Sequence, residues 1–396
     1  WSSGCTILAR VGDTVMLSEM ETGHDVPPLC NTRWRLHSRT DAGWSLFAEA
    51  EGYRQREPTL LATTGSDVFY LNVNDSTEPP GTKYGPCTPY LLKFHLDNPS
   101  APEALRPVWE GEPTFTDHSY RGYAADRGAG ELLMLNIDAK TSEENWCHLK
   151  GDGEVLGNGK ISFPIRACYP QVALKDHAAY VLAISDIREP VKEWEDYKFE
   201  QTQNTWDYVF RILYFTWTPN IGSQAFFPPI EIANVDATAG HISGQDLHIA
   251  PNGDAYILYT QREVSSALMR DKFFPDLSIV NSLHLALVRE GQIIDRKTII
   301  EGTDTSQPGS ARFHIAANGD CYAFIYATID NAPGNYLVPL NIPQDAPPLI
   351  PVPLRQPLST FLLASPRAGN APSNTIDLAG AGPAGAIVYA QITLEP

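Results

Sequence analysis

Several familiar signatures are missing from this 396-residue sequence. It has no apolar run of the roughly eighteen residues that a membrane-spanning helix needs, so we expect a soluble chain with no membrane partner. It also lacks a GxSxG elbow, an HExxH motif, a phosphate-binding loop and a dinucleotide fingerprint, which leaves serine hydrolase, zinc protease, nucleotide-binding and Rossmann classes without support. No long amphipathic helix with caps separates its apolar runs, which disfavours a parallel sheet built from βαβ units.

Basic residues are scarce. The chain has 29 Lys and Arg against 47 Asp and Glu, a formal net charge of −18. Affinity for a phosphate backbone is built from clustered Lys and Arg, so we expect no nucleic-acid partner, and an acidic surface favours a soluble monomer. An anionic ligand could bind only where arginines are concentrated, which makes the positions of the few arginines informative.

The six cysteines show no CxxC or Cys/His spacing of a zinc site, so no metal cluster is expected. No cofactor is required by the sequence, and a structural divalent cation such as calcium is left open. Cys5 and Cys30 lie in one repeat and could form a disulfide, although buried thiols fit equally well. The first residue is Trp1 rather than Met, which suggests a trimmed, exported chain and predicts a secreted or periplasmic protein.

What the chain does have is a repeat. Two apolar, strand-like runs joined by a short Gly/Asp turn recur seven times, at intervals of roughly sixty residues. Alternating third segments follow several copies, as in 32–39, 89–96, 207–217 and 282–288. Repeats of this kind predict a seven-bladed β-propeller of four-stranded antiparallel blades, forming one domain over residues 1–396. The copies are 5–20, 57–72, 121–137, 169–184, 246–260, 312–327 and 375–392.

Because the seventh copy ends near the last residue, its outer strands have to come from elsewhere. The segment 359–364 and the amino terminus are the two candidates.

In a propeller, the residues before each innermost strand converge on one mouth of the central channel. Reading those positions predicts a funnel lined by arginines, histidines and tyrosines. Its predicted members are Arg54, Arg56, Glu57, His118, Tyr120, Arg121, Arg166, Tyr169, His241, Gln245, Asp246, Ser310, Arg312, Ser373 and Asn374.

Two long insertions, 187–206 and 262–281, separate the second and third strands of their repeats and should rim the same mouth. Their aromatic residues either stack against sugar rings or pack the insertions onto the blades. These residues are Trp194, Tyr197, Trp206, Phe273 and Phe274.

Two adjacent repeats carry a resemblance to a known family. Segments 116–135 (TDHSYRGYAADRGAGELLML) and 166–186 (RACYPQVALKDHAAYVLAISD) resemble the BNR-repeat propeller family that contains ulvan lyases, rhamnose–glucuronate lyases and a related α-L-rhamnosidase family. The resemblance implies that His118 is a base and that Tyr169 is a base or an acid. It departs from the family at Asp138, where a second histidine is expected, and at Ser185, where an arginine is expected.

The resemblance implies a lyase that acts on an acidic polysaccharide or oligosaccharide by β-elimination at a uronic acid. His118 or Tyr169, the latter if arginines depress its pKa, would remove the C5 proton, and the other would protonate the leaving oxygen. Arginine or glutamine side chains would stabilise the charge that develops on the carboxylate. The predicted catalytic residues are therefore His118 and Tyr169, and the predicted substrate-binding residues are Arg56, Tyr120, Arg121, Arg166, His241, Gln245 and Arg312.

Two other interpretations stay open. A glycoside hydrolase on the same fold would need a pair of carboxylates in the funnel, for which Glu57, Asp117, Asp138 and Asp246 are the candidates. A propeller that only binds a glycan or a protein is the third interpretation, because a fold does not imply a function.

Overall fold

The computed structural model describes residues 6–24, 30–116, 120–340, 347–382 and 385–395. Seven antiparallel sheets of three or four strands follow one another along the chain, and each contacts the next in a ring in which the last contacts the first. This arrangement is a seven-bladed β-propeller, and the predicted fold is confirmed. Six of the sheets have four strands, and the seventh has three strands in the part of the chain that is described.

Each of the first three blades is a simple meander. Blade 1 contains β1 (Leu8–Val11), β2 (Thr14–Thr22), β3 (Thr32–Thr40) and β4 (Gly43–Glu49). Blade 2 contains β5 (Leu60–Thr63), β6 (Val68–Ser76), β7 (Cys87–His95) and β8 (Asn98–Leu105). Blade 3 contains β9 (Arg121–Asp126), β10 (Glu131–Ile137), β11 (Glu144–Lys150) and β12 (Val155–Ile161).

Blades 4 and 5 carry the two insertions. Blade 4 contains β13 (Ala167–Lys175), β14 (Ala178–Ser185), β17 (Ile212–Thr218) and β18 (Ile230–Asn234). Its insertion contains β15 (Ile187–Arg188), α1 (Lys192–Thr202) and β16 (Tyr208–Val209). A short 3₁₀ turn (Asp236–Thr238) leads to blade 5, which contains β19 (His241–Ile249), β20 (Ala255–Arg262), β21 (Ser282–Arg289) and β22 (Gln292–Ile300). The insertion of blade 5 contains α2 (Ala267–Phe273).

Blade 6 contains β23 (Gln307–Ile315), β24 (Cys321–Ile329), β25 (Ala332–Pro339) and β26 (Ile350–Val352). Blade 7 contains β27 (Phe361–Leu363), β28 (Thr375–Ala381) and β29 (Ile387–Thr393). No described helix has the length and apolar character needed to cross a membrane.

The strands follow from alternation and turn chemistry. In β24, for example, Ala323, Ile325 and Ala327 are buried against one neighbouring blade, and Phe324 is buried against the other. The hairpin before β24 turns at Asn318 and Gly319, where Gly319 has a φ of +89° and Asn318 Oδ1 accepts a hydrogen bond from the Asp320 N–H at 3.0 Å. Such a turn needs a residue without a Cβ at the positive-φ position.

One part of the repeat assignment is wrong. The seventh copy, 375–392, was expected to begin with an innermost strand, but it forms β28 and β29, the second and third strands of blade 7. The innermost strand is β27, from the segment 359–364 that was expected to supply an outer strand. The three residues of β27 are too few to show a periodic pattern, which explains the error.

The stretch between β27 and β28 lies in the central channel. We call residues 364–374 the plug. Its backbone meets blades 2 and 3, where Ala368 O accepts from Thr63 N at 2.8 Å and Arg367 O accepts from Ala125 N at 2.9 Å. Asn370 Oδ1 accepts from Arg10 N of blade 1 at 2.7 Å, and Ser373 N donates to Ile315 O of blade 6 at 3.0 Å. The plug thus ties the inner strands together near their carboxyl ends.

The ring closes between blades 1 and 7 through an ion pair. Arg10 donates from Nε and Nη2 to the two carboxylate oxygens of Asp377, each at 2.7 Å. The Asp377 side chain is buried, and its Oδ1 also accepts from the hydroxyl of Tyr389 at 2.5 Å. The Trp44 ring packs edge-on against Tyr389, with centroids 5.2 Å apart. Charge-assisted, bidentate contacts of this kind are among the stronger hydrogen bonds in proteins.

Candidate active site at the channel mouth

The mouth of the channel lies at the amino-terminal ends of the inner strands, opposite the plug. Tyr120, just before β9, and Tyr169, in β13, meet there. Their hydroxyls are hydrogen bonded at 3.0 Å, and their ring centroids are 4.2 Å apart. Tyr120 is buried and Tyr169 is half-buried. Two of the predicted site residues, from neighbouring blades, therefore lie side by side.

A bulge in β13 points Tyr169 into the mouth. The pairing of β13 with β14 shifts between Cys168 and Gln171, so Tyr169 and Pro170 together oppose a single residue. Tyr169 has a φ of +54°, which is rare for a residue with a bulky side chain. Bulges and left-handed residues are often found beside functional sites, where they redirect a side chain.

Burial raises the pKa of the Tyr169 phenol, although the hydrogen bond with Tyr120 opposes this shift. Burial also raises the pKa of Tyr120, and the hydrogen bond with Tyr169 adds to that rise. The condition under which Tyr169 would act as the base, a pKa depressed by arginines, is therefore not met among the described residues. At neutral pH both phenols are protonated, so Tyr169 is suited to donate a proton.

Arg166 lies over the Tyr120 ring, with its guanidinium carbon 5.8 Å from the ring centroid. Its Nη1 donates to the backbone carbonyl of Asp186 at 2.7 Å and lies 2.9 Å from the buried Asp186 carboxylate. Among the described residues, its Nε and Nη2 have no hydrogen-bond partner. This half-buried arginine could therefore donate to an anionic group of a ligand.

A cleft of about 290 Å³ opens beside Tyr169, between blades 4 and 5. Small-molecule sites usually measure ~300–1,000 Å³, so this cleft suits one small unit of a larger ligand. Its polar lining consists of Tyr169, Gln171, His241 and Ser243, and its apolar lining includes Leu182, Ile184, Phe210, Leu213 and Ile242.

His241 lines the same cleft, across Phe210 from Tyr169. The Phe210 ring centroid is 5.8 Å from the centroid of Tyr169 and 5.8 Å from that of His241. Burial, with a smaller contribution from the positive charge of Arg262, lowers the pKa of His241 to about 4. The imidazole is therefore neutral at physiological pH, with a nitrogen lone pair free to accept a proton, but burial and Arg262 make it a weak base unless an anionic group lies beside it.

Arg262 is a residue that the sequence analysis missed. It ends β20 and is the cross-strand partner of His241. Its side chain is half-buried, and no described residue forms an ion pair or a hydrogen bond with it. A half-buried guanidinium without a counter-ion would favour an anionic ligand nearby. Its position at the start of the second insertion was the only sequence signal that could have marked it.

The two insertions pack on one another above blades 4 and 5. Trp194 contacts Phe273 and Phe274, with centroids 6.3 and 5.6 Å away, and Tyr197 packs edge-on against Phe273 at 5.4 Å. These four aromatic residues hold the insertions together, which is the packing alternative of the sequence analysis. Trp206 differs from them, because 76% of its surface is exposed.

A buried ion network fixes the first insertion to blade 4. The Glu189 carboxylate, which is buried, contacts both Arg211 and Lys198, the latter at 2.6 Å. Lys198, on α1, also contacts Asp207 at 2.7 Å. The fully buried Arg211 guanidinium lies 5.1 Å from the centroid of Trp194. The path of this insertion past the mouth is therefore well defined.

Other predicted site residues do not line the cleft. The buried Arg121 guanidinium donates to the backbone carbonyls of Glu57, Pro58 and Asn72. Arg312 donates to Gln245 O at 2.7 Å, and Gln245 Oε1 accepts from Ala311 N at 3.1 Å. The guanidinium carbon of Arg56 is 5.4 Å from the centroid of the Tyr84 ring. The contacts of Arg121 and Arg312 hold neighbouring blades together, Arg56 contacts a loop of its own blade, and His118 lies outside the described residues.

The candidate carboxylates of a hydrolase are mostly engaged in the fold. Asp246 forms an ion pair with Arg367 of the plug, and Asp138 caps a turn by accepting from Lys140 N at 2.7 Å. Glu57 lies 3.4 Å from Arg56 Nε, and Asp117 lies outside the described residues. A carboxyl group not considered from sequence is that of Glu144, which is fully buried with no hydrogen-bond partner among the described residues, and burial raises its pKa well above the usual range.

In the described part of the chain, no group of three or more His, Cys, Asp or Glu side chains could hold a metal ion. The five described cysteines are buried, and burial raises the pKa of the Cys147 thiol to about 11. Cys5 lies outside the described residues, so the suggested disulfide with Cys30 stays a prediction.

The fold and the mouth define a seven-bladed β-propeller protein with a cleft beside its channel. No family model matches the sequence, and no curated protein matches it. Among solved structures, the chain is similar to the polysaccharide lyase Uly1, with 10% identity, a TM-score of 0.56 and coverage of 100% of this chain and 91% of that chain. It is similar to Kuenenia stuttgartiensis hydrazine synthase at 10% identity, with a TM-score of 0.53 and 99% and 97% coverage.

A third similar structure is an ulvan lyase described as a new polysaccharide lyase family, PL25, at 10% identity, with a TM-score of 0.49 and 83% and 78% coverage. The solved structures that resemble this chain thus include a propeller enzyme that processes a polysaccharide, Uly1. Because Uly1 and hydrazine synthase catalyse unrelated reactions, likeness at this level of identity establishes the fold alone.

Proposed function

We propose that this protein is an enzyme that acts on an acidic, uronic-acid-containing polysaccharide or oligosaccharide, and that it is a polysaccharide lyase. The observation that carries the proposal is the shared cleft of Tyr169 and His241, in which one group is a protonated phenol and the other a neutral imidazole. An acid and a base of this kind, held in one cleft, are what β-elimination requires.

In the proposed reaction, a base takes the C5 proton of the uronate, and the electron pair forms the C4–C5 double bond. The bond between C4 and the leaving oxygen breaks, and Tyr169 donates its proton to that oxygen. Arg166 and Arg262 are the candidates for stabilising the negative charge that develops on the carboxylate. His241 is the described candidate base, and His118 remains the alternative base. Export of the protein is part of the proposal, since such substrates lie outside the cell.

The test is incubation with ulvan, gum arabic and other uronate glycans, followed by ultraviolet absorbance of the unsaturated product and by reducing-end formation. Tyr169→Phe should lower the rate by about 10²- to 10⁴-fold. Tyr256→Phe, which removes a half-buried phenol outside the cleft, is the matched control. Comparing His241→Ala with His118→Ala identifies the base.

The other interpretations give different results. Reducing ends without unsaturated product would identify a glycoside hydrolase, and glycan binding without either product would identify a binding propeller. Equal activity of the wild type and Tyr169→Phe would refute the role of this phenol.

A further inference from the structure

An exposed aromatic pair lies on the rim of the mouth. The rings of Trp206 and Tyr208 are nearly parallel, with an interplanar angle of 17° and centroids 6.4 Å apart. Trp206 is 76% exposed and Tyr208 is 39% exposed, so water covers most of the indole. We call these two residues the platform. Large aromatic side chains left in water on a well-ordered surface often mark a binding site.

The platform is held in place by its surroundings. The backbone N–H of Trp206 donates to Asn204 Oδ1 at 3.0 Å, and Asn204 Nδ2 donates to the backbone carbonyl of Trp206 at 3.3 Å. The carboxylate of Asp207, the residue between Trp206 and Tyr208 in sequence, is bound by Lys198, and Tyr208 pairs with Arg188 in the small β15–β16 sheet. A ligand that stacks here would therefore lose little free energy to ordering the loop.

Arg166 connects the platform to the cleft. Its guanidinium carbon is 5.9 Å from the centroid of Tyr208 and 5.8 Å from that of Tyr120, so it faces both the outer and the inner aromatic residues. Tyr120 in turn contacts Tyr169, which lines the cleft. A continuous line of rings with one cation in its middle thus runs from solvent to the cleft. Sugar rings stack on aromatic faces, and the guanidinium complements a carboxylate or a sulfate on the chain.

We propose that the platform is an outer subsite, which binds a sugar ring of an acidic glycan whose neighbouring units reach the cleft past Arg166. The inference rests on the proposed function, because it assumes that the cleft binds such a glycan. It adds that the site binds a chain of several sugars, with the distant unit stacked on Trp206. Affinity should consequently depend on chain length, and only long fragments should contact the platform.

The test measures binding to the full-length protein by isothermal titration calorimetry. The ligands are ulvan-derived uronate fragments, from the disaccharide to the hexasaccharide. In Trp206→Ala, the affinity for the hexasaccharide should fall by about three- to tenfold, and that for the disaccharide should stay unchanged. Trp206→Phe, which keeps an aromatic face, should retain most of the hexasaccharide affinity. Trp44→Ala, which removes a 39% exposed indole from blade 1, is the matched control and should bind both fragments like the wild type.

Other outcomes overturn the inference. If Trp206→Ala binds every fragment as the wild type does, or loses affinity equally for short and long fragments, the platform is not an outer subsite. If the substitution instead changes the oligomeric state in size-exclusion chromatography and leaves glycan affinity intact, the platform is a protein interface. If the wild type binds no acidic fragment of any length, the proposed function fails together with the subsite, a result distinct from the first two because wild-type binding itself is then absent.

Discussion

Arg367 and Asp246 form an ion pair inside the central channel, with Arg367 Nη2 2.9 Å from Asp246 Oδ1. The two side chains are 5% and 1% exposed, and Arg367 Nη1 also donates to Val172 O at 3.3 Å. The plug is therefore anchored to blades 4 and 5 by a charge that has no access to water. A buried carboxylate that loses its partner is left uncompensated in a medium of low dielectric constant.

Arg367→Ala should therefore lower the free energy of unfolding by about 3–5 kcal/mol, as measured by urea denaturation. Lys150→Ala, which breaks an exposed ion pair with Glu154, is the control and should leave the free energy of unfolding almost unchanged. A loss as small as that of the control would mean that the pair does not hold the plug.

Gly369 gives a second test of the plug. Its φ is +77°, and a Cβ at this position would lie 1.7 Å from the carbonyl oxygen of Thr63, so neither the conformation nor the space admits a side chain. Gly319 has a similar φ of +89° but nothing within 4 Å. Gly369→Ala should lower the unfolding free energy by about 1–3 kcal/mol more than Gly319→Ala, because only the former forces the backbone of blade 2 to move. Equal losses would show that the close approach is absent in solution.

The parts of the fold that sequence could predict are those with a repeated local pattern. Strand pairs and Asn-Gly turns such as Asn318–Gly319 recur along the chain, and because inner strands begin at one mouth, Tyr120 and Tyr169 were correctly placed on neighbouring blades. The third strands β3, β7, β17 and β21 were found in the same way. Each of these features is determined within about twenty residues of sequence.

What could not be predicted depends on contacts between distant residues. Asp246 was interpreted as a candidate catalytic acid because its partner, Arg367, lies 121 positions away in a segment without any repeat. Arg121 was interpreted as substrate-binding because nothing local shows that the carbonyls of Glu57 and Pro58 surround its guanidinium. The positive φ of Tyr169 is set by the bulge opposite β14, and sequence patterns do not reveal bulges of this type.

His241 predicts a pH dependence of stability. Its pKa is lowered to about 4 in the folded protein, against about 6.5 for an unfolded histidine. As the pH falls from about 6.5 to about 4, the unfolded chain binds a proton at this position and the folded chain does not, so the free energy of unfolding decreases in this window. Between these two pH values, the free energy of unfolding of His241→Gln should decrease by up to about 3 kcal/mol less than that of the wild type, as measured by urea denaturation at each pH. His95→Gln, at an exposed position of β7, is the control. Parallel pH curves for the wild type and His241→Gln would contradict the prediction.

The hydrogen bond between Tyr120 and Tyr169 predicts different roles for the two hydroxyl groups, and steady-state kinetics of single and double variants can distinguish these roles. If Tyr169 donates the proton, Tyr120 acts through it as a positioning residue, because its hydroxyl fixes the Tyr169 phenol at 3.0 Å while its ring packs beneath Arg166. Tyr120→Phe keeps the ring and removes only the hydroxyl, so kcat should fall by about tenfold with KM unchanged, an effect of about one hydrogen bond. Tyr169→Phe should cost much more in kcat, and the double variant should be no slower than Tyr169→Phe alone, since Tyr120 has no phenol left to position. Losses that simply multiply in the double variant would show that the two hydroxyls act independently and that Tyr120 contacts the substrate itself.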